Sequence, residues 1–290
     1  MHKFLRAIGF SEIRKKDLIM ITDEIAERPE EMRITKDSEG NEFAEFSKTF
    51  AENIGIKVRG TYDEEDNFQM EYYFPYSLGT EVSTREQIDV EKHAEKESYA
   101  GVCDELRIGV TLIFYMQNVV EFLSEHRRNI HAQNLQGAIL SALSVEGKVI
   151  LPVQQKKTAK QTHNKNSEKR NQLIAEAREG NEEAIESLTL ADMDTYSSIS
   201  KRITKEDILS IVDSYFMPYG IESDQYSVLG TIIDVKELFN SITNEKLYHI
   251  TLNCNDMVFD VTINENDLLG EPAIGRRFKG NIWMQGTVCL

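Results

Sequence analysis

The 290-residue chain is 40% hydrophobic and 28% charged, with 49 acidic against 33 basic residues and a formal net charge of −16. That is enough apolar material for two modest cores, and it excludes wholesale disorder. No segment of domain size is basic, so a polyanion meets net repulsion except at a local patch, which argues against nucleic-acid and anionic-membrane binding.

Three cysteines, Cys103, Cys254 and Cys289, supply neither a disulfide framework nor a paired metal knuckle. The N-terminus lacks an apolar core of signal-peptide length. The longest apolar-rich run, residues 108–122, is broken by Thr111, Gln117, Asn118 and Glu121, so no bilayer span and no membrane partner are expected. A cytoplasmic location follows as the expectation.

In chain order, residues 2–9 read as a short amphipathic turn. Residues 15–28 read as a helix, with Leu18, Ile21 and Ile25 near helical spacing and Pro29 as its stop. From Phe43 the period shifts toward two. Ile54, Ile56 and Val58 alternate with polar partners and lead into the acidic turn Asp63-Glu64-Glu65-Asp66-Asn67. Residues 68–76 then return as an aromatic strand, completing a hairpin.

A second antiparallel pair, residues 98–102 and 106–116, is expected to turn at Cys103-Asp104-Glu105. Residues 119–128 suit a short helix. Residues 139–145 and 148–153 flank Glu146-Gly147, which reads as a two-residue turn with glycine supplying positive φ.

Residues 154–170 carry Lys156, Lys157, Lys160, His163, Lys165, Lys169 and Arg170 against Glu168 alone, and read as a basic flexible linker. Gly180 closes one helix and Asn181 is suited to cap the next. Thr204 is expected to open a third helix, with Ile208, Leu209, Ile211, Val212 and Tyr215 on its buried face and Pro218 ending it.

Beyond it, residues 226–235 form a strand bent at Gly230. The alternating sets Tyr248, Ile250, Leu252, Cys254 and Met257, Phe259, Val261, Ile263 flank Asn255-Asp256, a tight hairpin. Phe278, Ile282, Met284 and Val288 alternate on a terminal strand. This order fits a small closed barrel of OB type; a four-stranded sheet packed on the third helix is the competing architecture. The expected fold class is α+β. It comprises an N-terminal antiparallel-sheet α+β domain (1–153), the linker (154–170), a helical connector (171–222) and a small OB-like C-terminal β domain (223–290).

The sequence lacks a Walker loop, GxGxxG after a strand, GxSxG, HExxH and the zinc-deaminase signature, so no cofactor, metal or catalytic residue is assigned. His126 and His131 diverge on a helix. The acidic turn at 63–67 lacks the glycine and distal glutamate of a calcium loop. Asp104 and Glu105 adjoin Cys103 and raise its thiol pKa, which disfavours a nucleophile.

Two constellations stand out. Glu71-Tyr72-Tyr73-Phe74-Pro75-Tyr76 carries aromatics on both faces of a strand, a density that usually fills cores. Arg276, Arg277 and Lys279 interleave with Phe278 and Trp283, the sole tryptophan. A barrel could stack bases on Trp283 and hold phosphates with the three cations. In the competing and preferred reading, Phe278 and Trp283 are packed and the cations balance neighbouring acids.

The stretches Tyr72-Tyr73-Phe74-Pro75-Tyr76, Leu112-Ile113-Phe114-Tyr115-Met116-Gln117-Asn118 and Gly270-Glu271-Pro272 with the following Gly275-to-Gly286 run resemble a functionally uncharacterised family of clostridial-type bacterial proteins of about this length. Its members begin with the Met-His-Lys-Phe-Leu-Arg-Ala-Ile-Gly-Phe type of N-terminus found here. The resemblance spans essentially the whole chain and implies a bacterial cytoplasmic protein, but carries no catalytic residue across.

With no catalytic or metal arrangement and two β-rich modules joined by a basic linker, the leading expectation is a non-enzymatic binding or adaptor protein with protein partners. The alternative is a single-stranded nucleic-acid-binding protein acting through the C-terminal β domain. An enzyme whose site is assembled from sequence-distant residues comes third.

Overall fold

Alternating β-branched and aromatic residues turn most of this chain into strand. The computed structural model describes residues 1–93, 96–128, 135–152, 172–174, 176–177, 180–190 and 208–290. Two sheets organise it. The first is an antiparallel meander of β1 (Glu31–Lys36), β2 (Glu42–Ala51), β3 (Ile54–Tyr62) and β4 (Phe68–Ser77). The acidic β3–β4 turn forms as expected. The Asp63 carboxylate accepts the backbone N–H groups of Glu65 and Asn67, and Asp66 takes a left-handed φ of 60°.

The second sheet contains β5 (Val82–Lys92), β6 (Tyr99–Glu105), β7 (Val110–Met116), β8 (Leu135–Ile150) and β9 (Tyr215–Pro218). It continues with β10 (Gln225–Phe239), β11 (Lys246–Cys254), β12 (Met257–Asn264), β13 (Leu268–Leu269) and β14 (Arg277–Val288). β8 and β14 lie antiparallel from Ala138↔Val288 to Ile150↔Arg277. β5, β6 and β7 bridge from β8 to β14 on one side, while β10, β11 and β12 bridge from β14 back to β8 on the other. Two five-membered rings of strands result, sharing β8 and β14. The same scheme occurs twice with the shared strands exchanging roles. β5 is antiparallel to β8 and β7 parallel to β14; β10 is antiparallel to β14 and β12 parallel to β8.

One apolar cluster joins both rings through residues such as Leu112, Phe114, Leu140, Ile250, Phe259 and Phe278. A second draws on the meander, α1, the N-terminal 3-10 helix and the rings. It includes Phe4 and Ile8 of the 3-10 helix Lys3–Ile8, Ile25 of α1 (Lys15–Glu27), Ile56 of β3, Leu143 and Trp283. α2 (Val119–Arg128) packs against β1. The helix spanning 182–190 is capped as expected, Asn181 Oδ1 accepting the backbone N–H groups of Glu183 and Ala184.

Several expectations give way. Glu146-Gly147 is not a turn, because β8 runs straight through it. Gly147 faces Gly280, and a Cβ on either would lie within 2.6 Å of the Phe278 ring, so glycine here serves close packing. The β6–β7 turn falls later, leaving Cys103, Asp104 and Glu105 in β6 opposite Leu112, Thr111 and Val110. Tyr215 begins strand β9 rather than ending a helix; of the described residues just before it, Ile208–Ile211 are helical. The chain is coarsely α+β but mostly strand, and its pairings do not draw a small C-terminal OB barrel. The ring containing β10, β11, β12 and β14 closes through β8, a strand from far upstream. Thr204, His131 and residues 154–170 lie outside the described residues. Among the described residues, no helix is long and apolar enough to cross a membrane.

Candidate ligand-binding groove

The cationic and aromatic residues singled out on β14 do not share one surface. Trp283 is 5% exposed, its ring stacked at 5.3 Å on Phe4 and 5.2 Å from Tyr115, with the His2 ring at 4.7 Å. Its indole N–H donates to Asp224 Oδ2 at 2.7 Å. Stacking a base needs an open ring face, and neighbours occupy this ring. Arg277 is buried and donates to the carbonyls of Leu151, Leu209 and Val212, tying the chain after β8 and before β9 onto β14. Arg276 donates to the Glu271 carbonyl. Lys279 lines an open groove. On the other constellation, Phe74 and Tyr76 are core, as their density suggested.

Burial pushes the Asp224 carboxyl above its usual range, against the Trp283 hydrogen bond, which pulls it down. A raised carboxyl pKa means that the folded state disfavours the charge. The cost is absent below the ordinary carboxyl range and complete once pH exceeds the folded value. Asp224→Asn keeps an acceptor for Trp283. It is therefore expected to raise the thermal midpoint at pH 7, with the gain shrinking toward pH 3.5; a lower midpoint at pH 7 would show that Trp283 needs the charge.

Two buried polar clusters hold the layers together. On adjacent strands, Glu45 accepts from Lys57 Nζ at 2.7 Å and Arg59 Nε at 2.6 Å. Arg59, fully buried, also donates to the Gln117 carbonyl at 2.7 Å and lies 4.7 Å from the Phe74 ring centroid. Farther along, Asp260 accepts from Thr251 and from both the hydroxyl and the backbone N–H of Thr80. His249 lies between Asp260 and Thr262, whose hydroxyl meets that of Ser77.

The order Ser77, Thr262, His249, Asp260 resembles a hydroxyl–imidazole–carboxylate relay. Both hydroxyl residues are fully buried, and a nucleophile must reach its substrate. Burial, with Glu105 and Glu86 behind it, pushes the buried Cys103 thiol up to about 12, so the thiolate is scarce at neutral pH. Among the described residues, no group of three or more His, Cys, Asp or Glu converges as a metal site.

An open groove of about 650 Å³ lies on the outer face of β8 and β14, between β9–β10 and the Asn266–Leu269 segment. Its floor follows from the register. Lys148 faces Lys279, Gly147 faces Gly280, and Glu146 faces Asn281. With the two glycines turned toward Phe278, the two lysines, Glu146 and Asn281 project outward into the groove. Tyr215 and Ser227, their hydroxyls 3.3 Å apart, stand on one wall, and Leu269, 74% exposed, on the other.

Like charges directly opposite on a sheet destabilise it, yet neither lysine has a hydrogen-bond or ion-pair partner among the described residues. Neither acid lining the groove forms an ion pair with these lysines. Asp267 is taken by Arg6 through Nε and Nη2, and Glu146 receives the Asn281 amide at 3.4 Å. Lys279 was among the residues singled out in the sequence; Lys148 was not, because register alone brings it opposite.

No curated protein and no solved structure matches the chain. A family model does, over residues 5–286, described as "Domain of unknown function, E. rectale Gene description (DUF3881)". A match over nearly the whole chain agrees with the uncharacterised clostridial-type family that its motifs resemble, and this protein belongs to the DUF3881 family.

Proposed function

We propose that this is a non-enzymatic binding protein of the bacterial cytoplasm, with its ligand in the groove over β8 and β14. The observation that carries the reading is the facing pair Lys148 and Lys279, two cations without hydrogen-bond or ion-pair partners among the described residues of a strongly acidic chain. The groove volume is that of a small-molecule site, typically about 300–1,000 Å³. Convergent polar groups from Tyr215, Ser227 and Asn281, beside the apolar Leu269, supply orientation and contact area. An adaptor role is compatible with the same surface if the ligand is a side chain of a protein partner. Single-stranded nucleic acid has less support, since the Trp283 ring is covered and the net charge is −16.

The test is equilibrium dialysis against the small-molecule fraction of a bacterial extract, read by mass spectrometry, with Asn281→Trp filling the groove. A compound enriched by the wild type and not by the folded variant is the expected result. No enrichment, or equal enrichment by both, would overturn the proposal.

A further inference from the structure

We infer that the groove's ligand carries a phosphoryl group seated between Lys148 and Lys279, an inference that rests on the binding reading above and gives that site its chemistry. Directly opposed side chains on antiparallel strands start from Cβ atoms roughly 4.5–5.5 Å apart, so both ammonium groups are within reach of one ligand group. Several cations elsewhere in the structure are matched with carboxylates. Lys57 meets Glu45, Arg107 meets Glu105, Arg6 meets Asp267, and Lys246 meets Glu237 and Glu265. Among the described residues Lys148 and Lys279 have no such carboxylate, and an anion would supply the missing charge.

A phosphoryl group suits the place better than a single carboxylate. Its several oxygens can accept from two ammonium groups on different strands at once. Glu146 stands two pairs farther along, opposite Asn281, and disfavours an anion at that end. The charged head is thereby directed toward the lysines. Leu269 and the Tyr215 ring leave apolar surface for the body of the ligand.

The probes are inorganic phosphate and pyrophosphate, titrated at constant ionic strength against the whole protein, with chloride as the control. Calorimetry and thermal midpoint are the readouts. Saturable binding of pyrophosphate is expected, weakened about tenfold by Lys148→Gln or Lys279→Gln, since one charge-assisted contact is lost, and abolished in the double variant. Lys148→Arg restores most of it. Without anion, the double variant melts at or above the wild type because the repulsion is gone, which separates lost binding from lost folding.

The inference is overturned if neither probe saturates at millimolar concentration, or if the double variant binds as well as the wild type. Should the probes fail while an extract compound is still enriched in an Asn281-dependent way, the ligand is not phosphorylated and the groove reading stands. Failure of both experiments removes both.

Discussion

Replacing Glu45 by alanine is expected to destabilise the protein by about 3–5 kcal/mol, the usual cost of removing one partner from a buried ion pair. Glu45 and Arg59 are directly opposed on β2 and β3, 3% and 0% exposed, and joined by a 2.6 Å bond. Alanine would leave the Arg59 guanidinium, which does not shed its proton, in the interior with the Gln117 carbonyl, the Tyr72 hydroxyl and the Phe74 face.

Lys57 is the weaker member. Burial pulls its ammonium below the usual lysine range, and Glu45 does not fully offset that. Lys57→Met is accordingly expected to cost much less than Glu45→Ala in the same denaturant titration. Equal costs would show that the lysine, not the arginine, anchors the cluster.

The same pair sets an acid limit. Burial pushes the Glu45 carboxyl up, but Lys57 and Arg59 outweigh it and hold the group below its usual value of 4.5. A carboxyl lowered on folding contributes stability that is complete above its unfolded pKa and is lost as pH falls through the folded one. Glu105 beside Arg107 and Asp260 beside His249, Thr251 and Thr80 are lowered with the same sign, each against its own burial. Stability therefore falls below about pH 4.5, and Glu45→Gln, already destabilised at pH 7, should show a shallower fall. An unchanged slope would remove Glu45 from the acid transition.

Residues 208–290 alone are expected not to fold, and to fold on mixing with residues 1–152. In isolation β14 would lose its pairing with β8 from Arg277 to Val288, and β12 would lose its parallel partner. Phe278, Ile282 and Met284 would face an open ring. Long exposed strand edges beside bare apolar faces favour aggregation over a folded monomer. Circular dichroism and amide NMR decide the matter. Dispersed signals that appear only on mixing are the expected outcome. A dispersed spectrum from residues 208–290 alone would establish a self-sufficient C-terminal unit, the organisation suggested by a boundary near 223.

What could be read from the sequence is what local chemistry determines. The stop of α1 near Pro29, the Asp63 turn between β3 and β4, the Asn181 cap and the β11–β12 hairpin each depend on a few adjacent residues. At that last hairpin Asn255 and Asp256 have φ of 52° and 63°, the left-handed pair that a two-residue turn demands. Strands whose pattern is polar were not legible. β1 is almost wholly exposed and β5 largely so, which leaves little apolar alternation to recognise.

Glu45 and Arg59, as charges in strands, suggest a solvent face. They are buried because a second layer covers the meander, and no property of β2 or β3 alone announces that layer. The continuity of β8, its insertion beside β14 and the meeting of Lys148 with Lys279 were likewise decided by tertiary structure. Partners that far apart in sequence are chosen by which register buries Phe278 against two glycines, and that energy exists only once both strands are in place.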